Sequence, residues 1–360
     1  MRESNSAMIF VTLFNSYYID KGIVLFESMR KCMDDFKLYV IAFDDQCNEI
    51  LESCFEDQRL IVVSLGEFED ETLLKAKKDR SFREYCWTCS SYSIKYVIET
   101  FCEPICTYID ADMFFYSSPQ PLFDELQESQ SDVGIMEHGF LPCKENERYI
   151  KNSGKYCVEF NTFRNNENGK KVLDWWCNQC LADCSEKMDG VHFGDQKYVE
   201  EFAKKFIGVH VYENQGAGVA PWNIARFTLA KKEPLLIVDK KTKNAFRLIF
   251  YHFQNILFLS NNEVSVEIAM YPRKAERKLI HFLYYPYLYS ISKSREKLNK
   301  SGIDMAQLTR YVEKVRLRDE IEYLINNERN VGIILKRLFR MIFRKKYDYL
   351  KWGEGNEKVS

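Results

Sequence analysis

The first hundred residues alternate between short apolar runs and longer amphipathic stretches. Met8 to Phe14, Lys37 to Phe43 and Leu60 to Val63 are rich in β-branched and aromatic residues, which is typical of buried strands. Asp20 to Lys31 and Glu84 to Glu99 place their apolar residues at helical spacing. This alternation predicts an α/β fold, Rossmann-like, with a mainly parallel sheet and helices on both of its faces.

The next apolar run ends in two aspartates. Ile105 to Ile109 is mostly apolar or β-branched, and Asp110 and Asp112 follow it before a second short apolar run. Residues two apart in an extended segment point the same way, so both carboxylates can reach one point. Hard divalent cations such as Mg²⁺ or Mn²⁺ take carboxylate oxygens together with substrate phosphate. The alternative is a solvated turn that holds two aspartates by chance.

Polar and aromatic residues at the strand ends are candidates for binding a nucleoside. In parallel sheets ligands bind beyond the carboxyl ends of the strands. The residues at those ends are Thr12, Phe14, Asn15 and Asp44, with Tyr17 as a candidate stacking ring. For each one alone, an ordinary strand-end residue is an equally good interpretation.

Two basic residues lie on the helix that leads into the strand before Asp110. Arg83 and Lys95 are candidates to balance the negative charge of a phosphate there. For Lys95 a solvated surface position is the favoured alternative.

The second half of the chain is less regular. Strands are predicted at 132–136, 157–164 and 246–253, and helices at 121–128, 166–184, 272–288, 304–326 and 330–351. The polar segment 137–155 has few periodic apolar positions, so we interpret it as a substrate loop. Asp195 stands where a further helix begins, and helix capping would explain it but not Gln196. His252 lies among aromatic residues, where a core histidine is the commoner outcome.

Composition and charge limit the classes of function. The chain has 360 residues, 46% of them hydrophobic, so it can bury a large core. A formal net charge of −2 argues against a nucleic-acid-binding protein. No apolar run approaches the length of a membrane span, and we expect a cytoplasmic protein. Its twelve cysteines are expected to be reduced and mostly buried. Structural zinc is the less favoured alternative, suggested by the spacing of Cys86 and Cys89 and of Cys177 and Cys180, with Cys184 following.

The basic segment 330–351 departs from the near-neutral charge of the whole chain. Seven Lys or Arg residues face one Asp there, opposite an apolar helical face. This is the pattern of a helix that lies on an anionic membrane surface. Such a surface is therefore a candidate partner of the chain. A helix docked on the core with a solvated basic side is an equal alternative.

Five landmarks in this order resemble those of the GT-A nucleotide-sugar glycosyltransferases, most closely the GT8-like bacterial enzymes that build cell-surface glycans. They are the strand 10–15, the Asp110–Asp112 motif, the strand 158–164, the Gly194-Asp195-Gln196 element and the strand that ends near His252. Two departures exist. Phe163 stands near the usual glycine of the third landmark, and Gln254-Asn255 replace the glycine and lysine that often follow the histidine.

The resemblance implies roles for specific residues. Asp110, Asp112 and His252 would hold Mn²⁺ or Mg²⁺, and Asp110 and Asn161 would face the nucleotide sugar. Asp195 would hold sugar hydroxyls, and Gln196 would lie near the anomeric carbon. The resemblance further implies a GT-A catalytic domain at 1–265, with a nucleotide-sugar half at 1–119 and an acceptor and metal half at 120–265, before a helical extension at 266–360.

The implied reaction is transfer of a hexose from a UDP-sugar donor to a surface glycan or lipid-linked acceptor, with retention of configuration. An inverting enzyme would need a carboxylate base, and Glu137 and Glu159 stay open for that role. A catalytically silent sugar-nucleotide or glycan-binding protein is the main alternative. A nucleotidyltransferase ranks lower, because residues 15–20 do not form a Gly-rich basic loop.

Overall fold

The structure, a computed structural model, describes residues 7–187, 192–268, 271, 274–313 and 349–351. Its strands are β1 (Met8–Phe14), β2 (Phe36–Ala42), β3 (Leu60–Ser64), β4 (Ile105–Ile109), β5 (Met113–Phe115), β6 (Val133–Glu137), β7 (Tyr156–Arg164), β8 (Val209–Val211), β9 (Phe227–Lys231), β10 (Leu236–Asp239), β11 (Ala245–Arg247), β12 (Phe250–His252), β13 (Leu257–Ser260), β14 (Glu263–Ser265) and β15 (Tyr349–Lys351). Its α-helices are α1 (Ile19–Cys32), α2 (Asp45–Cys54), α3 (Leu65–Phe68), α4 (Glu71–Lys77), α5 (Phe82–Thr100), α6 (Gln120–Glu128), α7 (Lys144–Ser153), α8 (Glu167–Ala182), α9 (Phe202–Lys205) and α10 (Arg277–Lys300).

A seven-stranded sheet forms the centre, in the order β3-β2-β1-β4-β7-β6-β8. The pairs β1–β2, β2–β3, β1–β4 and β6–β8 are parallel, whereas β7 runs antiparallel to both β4 and β6. Because β1 and β4 are neighbours and parallel, their carboxyl ends meet at one edge of the sheet. The predicted α/β fold with a mainly parallel sheet is confirmed.

Side chains of β1 divide between two hydrophobic cores, one on each face of the sheet. Phe10 and Phe14 pack in a core with residues of α1 and α2. Ile9 and Val11 point to the opposite face, where α5 and α8 cover the sheet. Burial of alternate residues on both faces therefore places helices on both sides of the sheet, as predicted.

A two-stranded ribbon stands beside the sheet edge. β12 pairs antiparallel with β5, with His252 opposite Met113. A third core joins this ribbon to α10. Helix α10 also packs on α1, where Arg295 Nε lies 2.6 Å from Asp20 Oδ2. The division of the chain at residues 119 and 265 stays a prediction.

Two predicted elements in the second half are wrong. The segment 137–155, expected to be a loop, contains helix α7, in which Asn146 is the buried residue. Without an apolar stripe a helix of this kind leaves no periodic signal. The predicted strand 246–253 is divided into β11 and β12, because Ile249 between them bonds to Tyr116 and Gly216 instead of continuing the ladder.

The C-terminal predictions also need correction. The helix predicted at 272–288 begins at Arg277 and runs on to Lys300. Gly302, with a φ of 86°, follows its end. Residues 304–313 form a turn and irregular chain rather than the start of the helix predicted at 304–326, and residues 314–326 lie outside the described residues. Residues 349–351 form β15 against β14 instead of the end of a basic helix. The rest of 330–351 lies outside the described residues. No helix in the described residues is long and apolar enough to cross a membrane.

Candidate functional site

Strand pairing brings Asp112 and His252 together from distant parts of the sequence. β4 ends at Ile109, and a turn over Asp110 to Asp112 leads directly into β5. Because His252 pairs with Met113 across the ribbon, its ring stands beside the residue that precedes Met113. The amide of Phe253 also donates to the carbonyl of Asp112, at 2.8 Å. Backbone hydrogen bonds therefore fix the spacing between the two side chains.

The imidazole Nε2 atom of His252 faces both aspartates. It lies 3.0 Å from Asp112 Oδ1 and 3.6 Å from Asp110 Oδ2. The Asp110 side chain is 32% exposed and lines a cavity, whereas His252 is buried. Two carboxylates and one imidazole thus converge beside the cavity that Asp110 lines, and this donor set suits Mn²⁺ or Mg²⁺.

The other ring nitrogen of His252 faces a second group of donors. Nδ1 lies 2.6 Å from Glu159 Oε2, and Cys157 belongs to the same cluster. Glu159 is 0% exposed, and its second oxygen, Oε1, has no hydrogen-bond partner among the described residues. Burial raises the pKa of the Cys157 thiol to about 12, so the thiol is protonated in the metal-free protein.

Charges within the cluster shift its pKa values in opposite directions. Burial, together with the neighbouring Asp112 and Glu159 charges, raises the pKa of Asp110 to about 6. Burial also acts on Asp112, but the His252 charge outweighs it and holds the pKa of Asp112 below its usual value. Burial alone would lower the pKa of His252. The Asp112 carboxylate reverses that effect, and the imidazole is held protonated well above its usual pKa.

A cavity of about 1120 Å³ opens next to this cluster. Several described elements contribute to it, among them the strand-end turn after β4, helix α7, the start of α5 and the segment before the 3-10 helix Gln196–Glu201. The lining includes four predicted site residues and two residues adjacent or close to predicted ones: Asp110, Asp195, Gln196 and His252, with Tyr18 and Gln254. Its volume is slightly above the roughly 300 to 1,000 Å³ of typical small-molecule sites, so it has room for a nucleotide or sugar ligand.

Asp195 and Gln196 lie in this cavity, as neighbours at a tight turn. Gly194 has a φ of 55°, and a Cβ there would meet the Trp87 ring at 2.9 Å, so this position requires glycine. Asp195 caps no helix with its side chain. Instead its carboxylate accepts a hydrogen bond from the Ser90 hydroxyl. Burial raises the pKa of Asp195 to about 7.

One wall of the cavity consists of aromatic rings. Phe140 stacks on Tyr149 of α7, with ring centroids 6.0 Å apart, and Trp222 contacts Phe140 and His252. The Trp222 indole N–H donates to the carbonyl of His138, at 2.7 Å. This wall was not predicted, because its rings come from separate segments and the helix was taken for a loop.

The nucleoside-binding candidates lie around the end of β1, outside the cavity lining. Thr12 and Phe14 are buried in the sheet, and so is Asn161 of β7, which the resemblance places at the donor sugar. Asp44 accepts hydrogen bonds from the amide and hydroxyl of Ser16 and from the amide of Cys47, so it holds the end of β1 to the start of α2.

Two more candidates stand at that end. Asn15 is partly buried and accepts a backbone hydrogen bond from Tyr18. The Tyr17 ring is 39% exposed, and the Arg310 guanidinium lies 4.2 Å from its centroid. The nucleoside-binding roles of all five residues stay predictions.

Lys95 is directed away from this region. Its ammonium lies 2.6 Å from Asp174 on α8, and the residue is not among those that line the cavity. Arg83, in contrast, lines the cavity and pairs with Glu186. For Lys95, therefore, the Asp174 carboxylate already balances the positive charge.

Lys21 is a cation that the sequence analysis missed. It is 6% exposed, and its Nζ lies 3.6 Å from the centroid of the Tyr18 ring, which lines the cavity. In the described part of the chain no carboxylate makes an ion pair with it. The nearest acidic neighbour in sequence, Asp20, is bonded to Arg295. Burial lowers the pKa of Lys21, but Tyr18, Asp112 and Asp20 together raise it overall. The signal in the sequence was that Asp20 and Lys21 stand next to each other among the apolar residues at the start of α1.

No family model matches the chain. Two proteins of Bacillus subtilis (strain 168) are similar in sequence, and both are described as uncharacterized. YfnD is 28% identical over 304 residues, which cover 84% of this chain and 94% of YfnD. YfnF is 28% identical over 262 residues, which cover 71% of this chain and 84% of YfnF.

Solved structures of glycosyltransferases are similar in fold. The galactosyltransferase LgtC, in complex with donor and acceptor sugar analogues, aligns with 69% of this chain and 87% of its own, at 14% identity and a TM-score of 0.45. The glycosyltransferase GlyE of Streptococcus pneumoniae TIGR4 aligns with 87% of this chain and 66% of its own, at 12% identity and a TM-score of 0.46. Similarity at this level does not establish an activity, which must follow from the site itself.

Proposed function

We propose that this chain is a metal-dependent glycosyltransferase that moves a hexose from a UDP-sugar to a glycan acceptor. The observation that carries the proposal is the convergence of Asp110, Asp112 and His252. Asp110 and His252 line a cavity that Asp195 and Gln196 also line. A fold with strand ends at one sheet edge supports nucleotide binding next to that point.

The residues present fit a divalent ion. Asp110 and Asp112 offer oxygen ligands and His252 offers Nε2, while Glu159 supports the far side of the ring. The mixed oxygen and nitrogen donors favour Mn²⁺, and Mg²⁺ is the alternative. An ion bound there would supply positive charge for the diphosphate that departs when the sugar bond breaks.

Lys21 adds a positive charge next to Asp112. A buried ammonium without a carboxylate partner is costly, and an anionic ligand in the cavity would relieve that cost. In the sequence, Gln254 and Asn255 stand where related enzymes often carry a lysine. We propose that Lys21, from α1, supplies a cation for the diphosphate, a role for which Arg83 and Lys95 were the candidates in the sequence.

The sugar would lie against Asp195 and Gln196. With a pKa of about 7, the Asp195 carboxyl can both accept and donate hydrogen bonds to sugar hydroxyls at neutral pH. Gln196 is a neutral amide that can steady the ring at the anomeric carbon. In a retaining reaction the departing phosphate oxygen then takes the proton of the acceptor hydroxyl.

An inverting reaction finds less support. It needs a carboxylate base within reach of the acceptor hydroxyl. Glu159 is buried and bonded to His252, and Glu137 pairs with Lys155 at 3.3 Å. Neither residue is among those that line the cavity.

The proposal is tested by screening UDP-glucose, UDP-galactose and their N-acetyl forms for UDP release, with Mn²⁺, with Mg²⁺ and with a chelator. We expect metal-dependent UDP release from at least one donor and its loss with the chelator. Calorimetric titration of UDP distinguishes the alternative: metal-dependent UDP binding without release from any donor would identify a silent sugar-nucleotide-binding protein.

A further inference from the structure

Glu159 is a charged residue in the middle of the central sheet. It lies in β7 and is 0% exposed, and one of its oxygens accepts from His252 Nδ1 at 2.6 Å. A buried carboxylate is costly unless it is hydrogen-bonded or paired with a positive group. Among the described residues, His252 is its one hydrogen-bond partner, because Oε1 has none. The Glu159 carboxylate therefore acts on the site through its hydrogen bond to the His252 imidazole.

The direction of that hydrogen bond decides which ring nitrogen is available. When Nδ1–H donates to the Glu159 carboxylate, the lone pair of a neutral imidazole is on Nε2. Nε2 is the nitrogen that faces Asp112, at 3.0 Å, and Asp110, at 3.6 Å. A carboxylate behind a histidine also makes the ring a more basic ligand and limits its rotation.

We propose that Glu159 is a positioning residue that holds His252 in the tautomer and orientation needed for Nε2 to bind a divalent cation together with Asp110 and Asp112. This inference rests on the proposed function, since it assumes the metal site. It also explains a glutamate in a strand whose other central residues are apolar or small polar: the charge is matched to the imidazole.

The test measures Mn²⁺ binding to the full-length protein by calorimetry, without substrate. Glu159→Gln keeps the shape of the side chain but removes its charge and allows it to donate to Nδ1, which favours the wrong tautomer. We expect the dissociation constant for Mn²⁺ to rise about 10- to 100-fold. The chain offers a matched control in Glu125, whose carboxylate lies 2.7 Å from His210 Nε2 away from the cavity. Glu125→Gln removes an equivalent Glu–His bond and should leave Mn²⁺ affinity unchanged.

A second measurement needs no variant and does not depend on activity. Nitrogen-15 chemical shifts of the His252 ring in Mg²⁺-loaded wild-type protein report which ring nitrogen carries the proton. We expect the proton on Nδ1. A proton on Nε2, or Mn²⁺ affinity within twofold of wild type in folded Glu159→Gln, would overturn the inference.

The outcomes separate this inference from the proposed function. Wild-type protein that binds no divalent cation, or His252→Ala that binds Mn²⁺ as tightly as wild type, overturns both. If His252→Ala loses Mn²⁺ and Glu159→Gln retains it, the metal site stands and only the positioning role fails.

Discussion

The two sides of the His252 ring carry donor groups that look alike in composition but differ in environment. On the Nε2 side, Asp110 borders the cavity with about a third of its side chain exposed, and the buried Asp112 lies next to the ring. On the Nδ1 side, Glu159 is fully buried in the sheet, and Cys157, the other donor grouped with it, is buried at the cavity wall. Each side thus places two further candidate metal ligands near the same imidazole.

Accessibility and protonation decide what each side can do. An ion that also binds a diphosphate needs free coordination positions. The Nε2 side is the more open of the two, because Asp110 there is 32% exposed, whereas Glu159 on the Nδ1 side is fully buried. On the other side, burial keeps the Cys157 thiol protonated and leaves Glu159 bonded to the ring. Closeness of donors therefore does not by itself identify a metal site: in the proposed arrangement the open side binds the ion and the closed side orients the ring.

The largest effect is expected from Asp112→Asn. The change removes a charged ligand but keeps the side-chain volume, so the fold should survive. We expect metal-dependent UDP release to fall about 100-fold or more, with Mn²⁺ binding lost in calorimetry. Asp174→Asn, the same substitution at the surface partner of Lys95, serves as the control. Wild-type UDP release by Asp112→Asn would show that the open side is not the metal site.

Mn²⁺ affinity should fall steeply as the pH is lowered from 7.5 to 5.5. Metal ligands must be deprotonated, and in the metal-free protein the His252 pKa is raised well above its usual value. Binding must therefore displace a proton across this whole range, which weakens affinity about tenfold for each pH unit. Because the pKa of Asp110 is raised to about 6, a second proton competes below that pH and the slope increases.

Dissociation constants measured at several pH values check this expectation, and calorimetry in buffers of different ionisation enthalpy counts the protons released. An Mn²⁺ affinity that does not change with pH would mean that the ion binds without displacing a proton from His252. The ion would then lie away from Nε2.

The open side was accessible to sequence analysis because its signals are local. An apolar strand that ends in Asp110 and Asp112 is a feature of eight consecutive residues, and the alternation of strands and helices gave the parallel sheet. His252 was assigned to the cluster only through a family resemblance. What brings it there is the pairing of β5 with β12, a long-range contact that no local pattern specifies.

The closed side could not be predicted, because its properties come from burial. Glu159 is a candidate base in the sequence, and no local pattern indicates that its carboxylate is buried and hydrogen-bonded to the His252 ring. Lys21 and Lys95 both occupy helices of mixed composition, and only packing shows that Lys21 is buried while Lys95 pairs with Asp174. Helix α7 was missed since it rests on the cavity without an apolar stripe.

A smaller effect is expected from removing the cation near the open side. Lys21→Met keeps the length of the side chain and removes its charge. We expect the dissociation constant for UDP, measured with Mn²⁺ present, to rise about tenfold, as for loss of one charge-assisted hydrogen bond. Lys95→Met is the matched control and should leave it unchanged. Equal effects of the two substitutions, or a larger one at Lys95, would contradict a diphosphate located beside Lys21.

The smallest effect is expected from Cys157→Ser, and it bears directly on the comparison. Cys157 Sγ, a Glu159 oxygen and a His252 ring nitrogen all lie within 4.8 Å of one another, so distance alone would admit them as a metal site. If the closed side only orients the ring, replacing the protonated thiol with a hydroxyl should change Mn²⁺ affinity by less than about twofold. A tenfold loss would mean that sulfur is a ligand and that the cation enters behind the imidazole. Because a ligand sulfur favours softer ions, the same titration with Zn²⁺ sharpens the result: a selective loss of Zn²⁺ binding in Cys157→Ser would assign the two sides of His252 to two different metals.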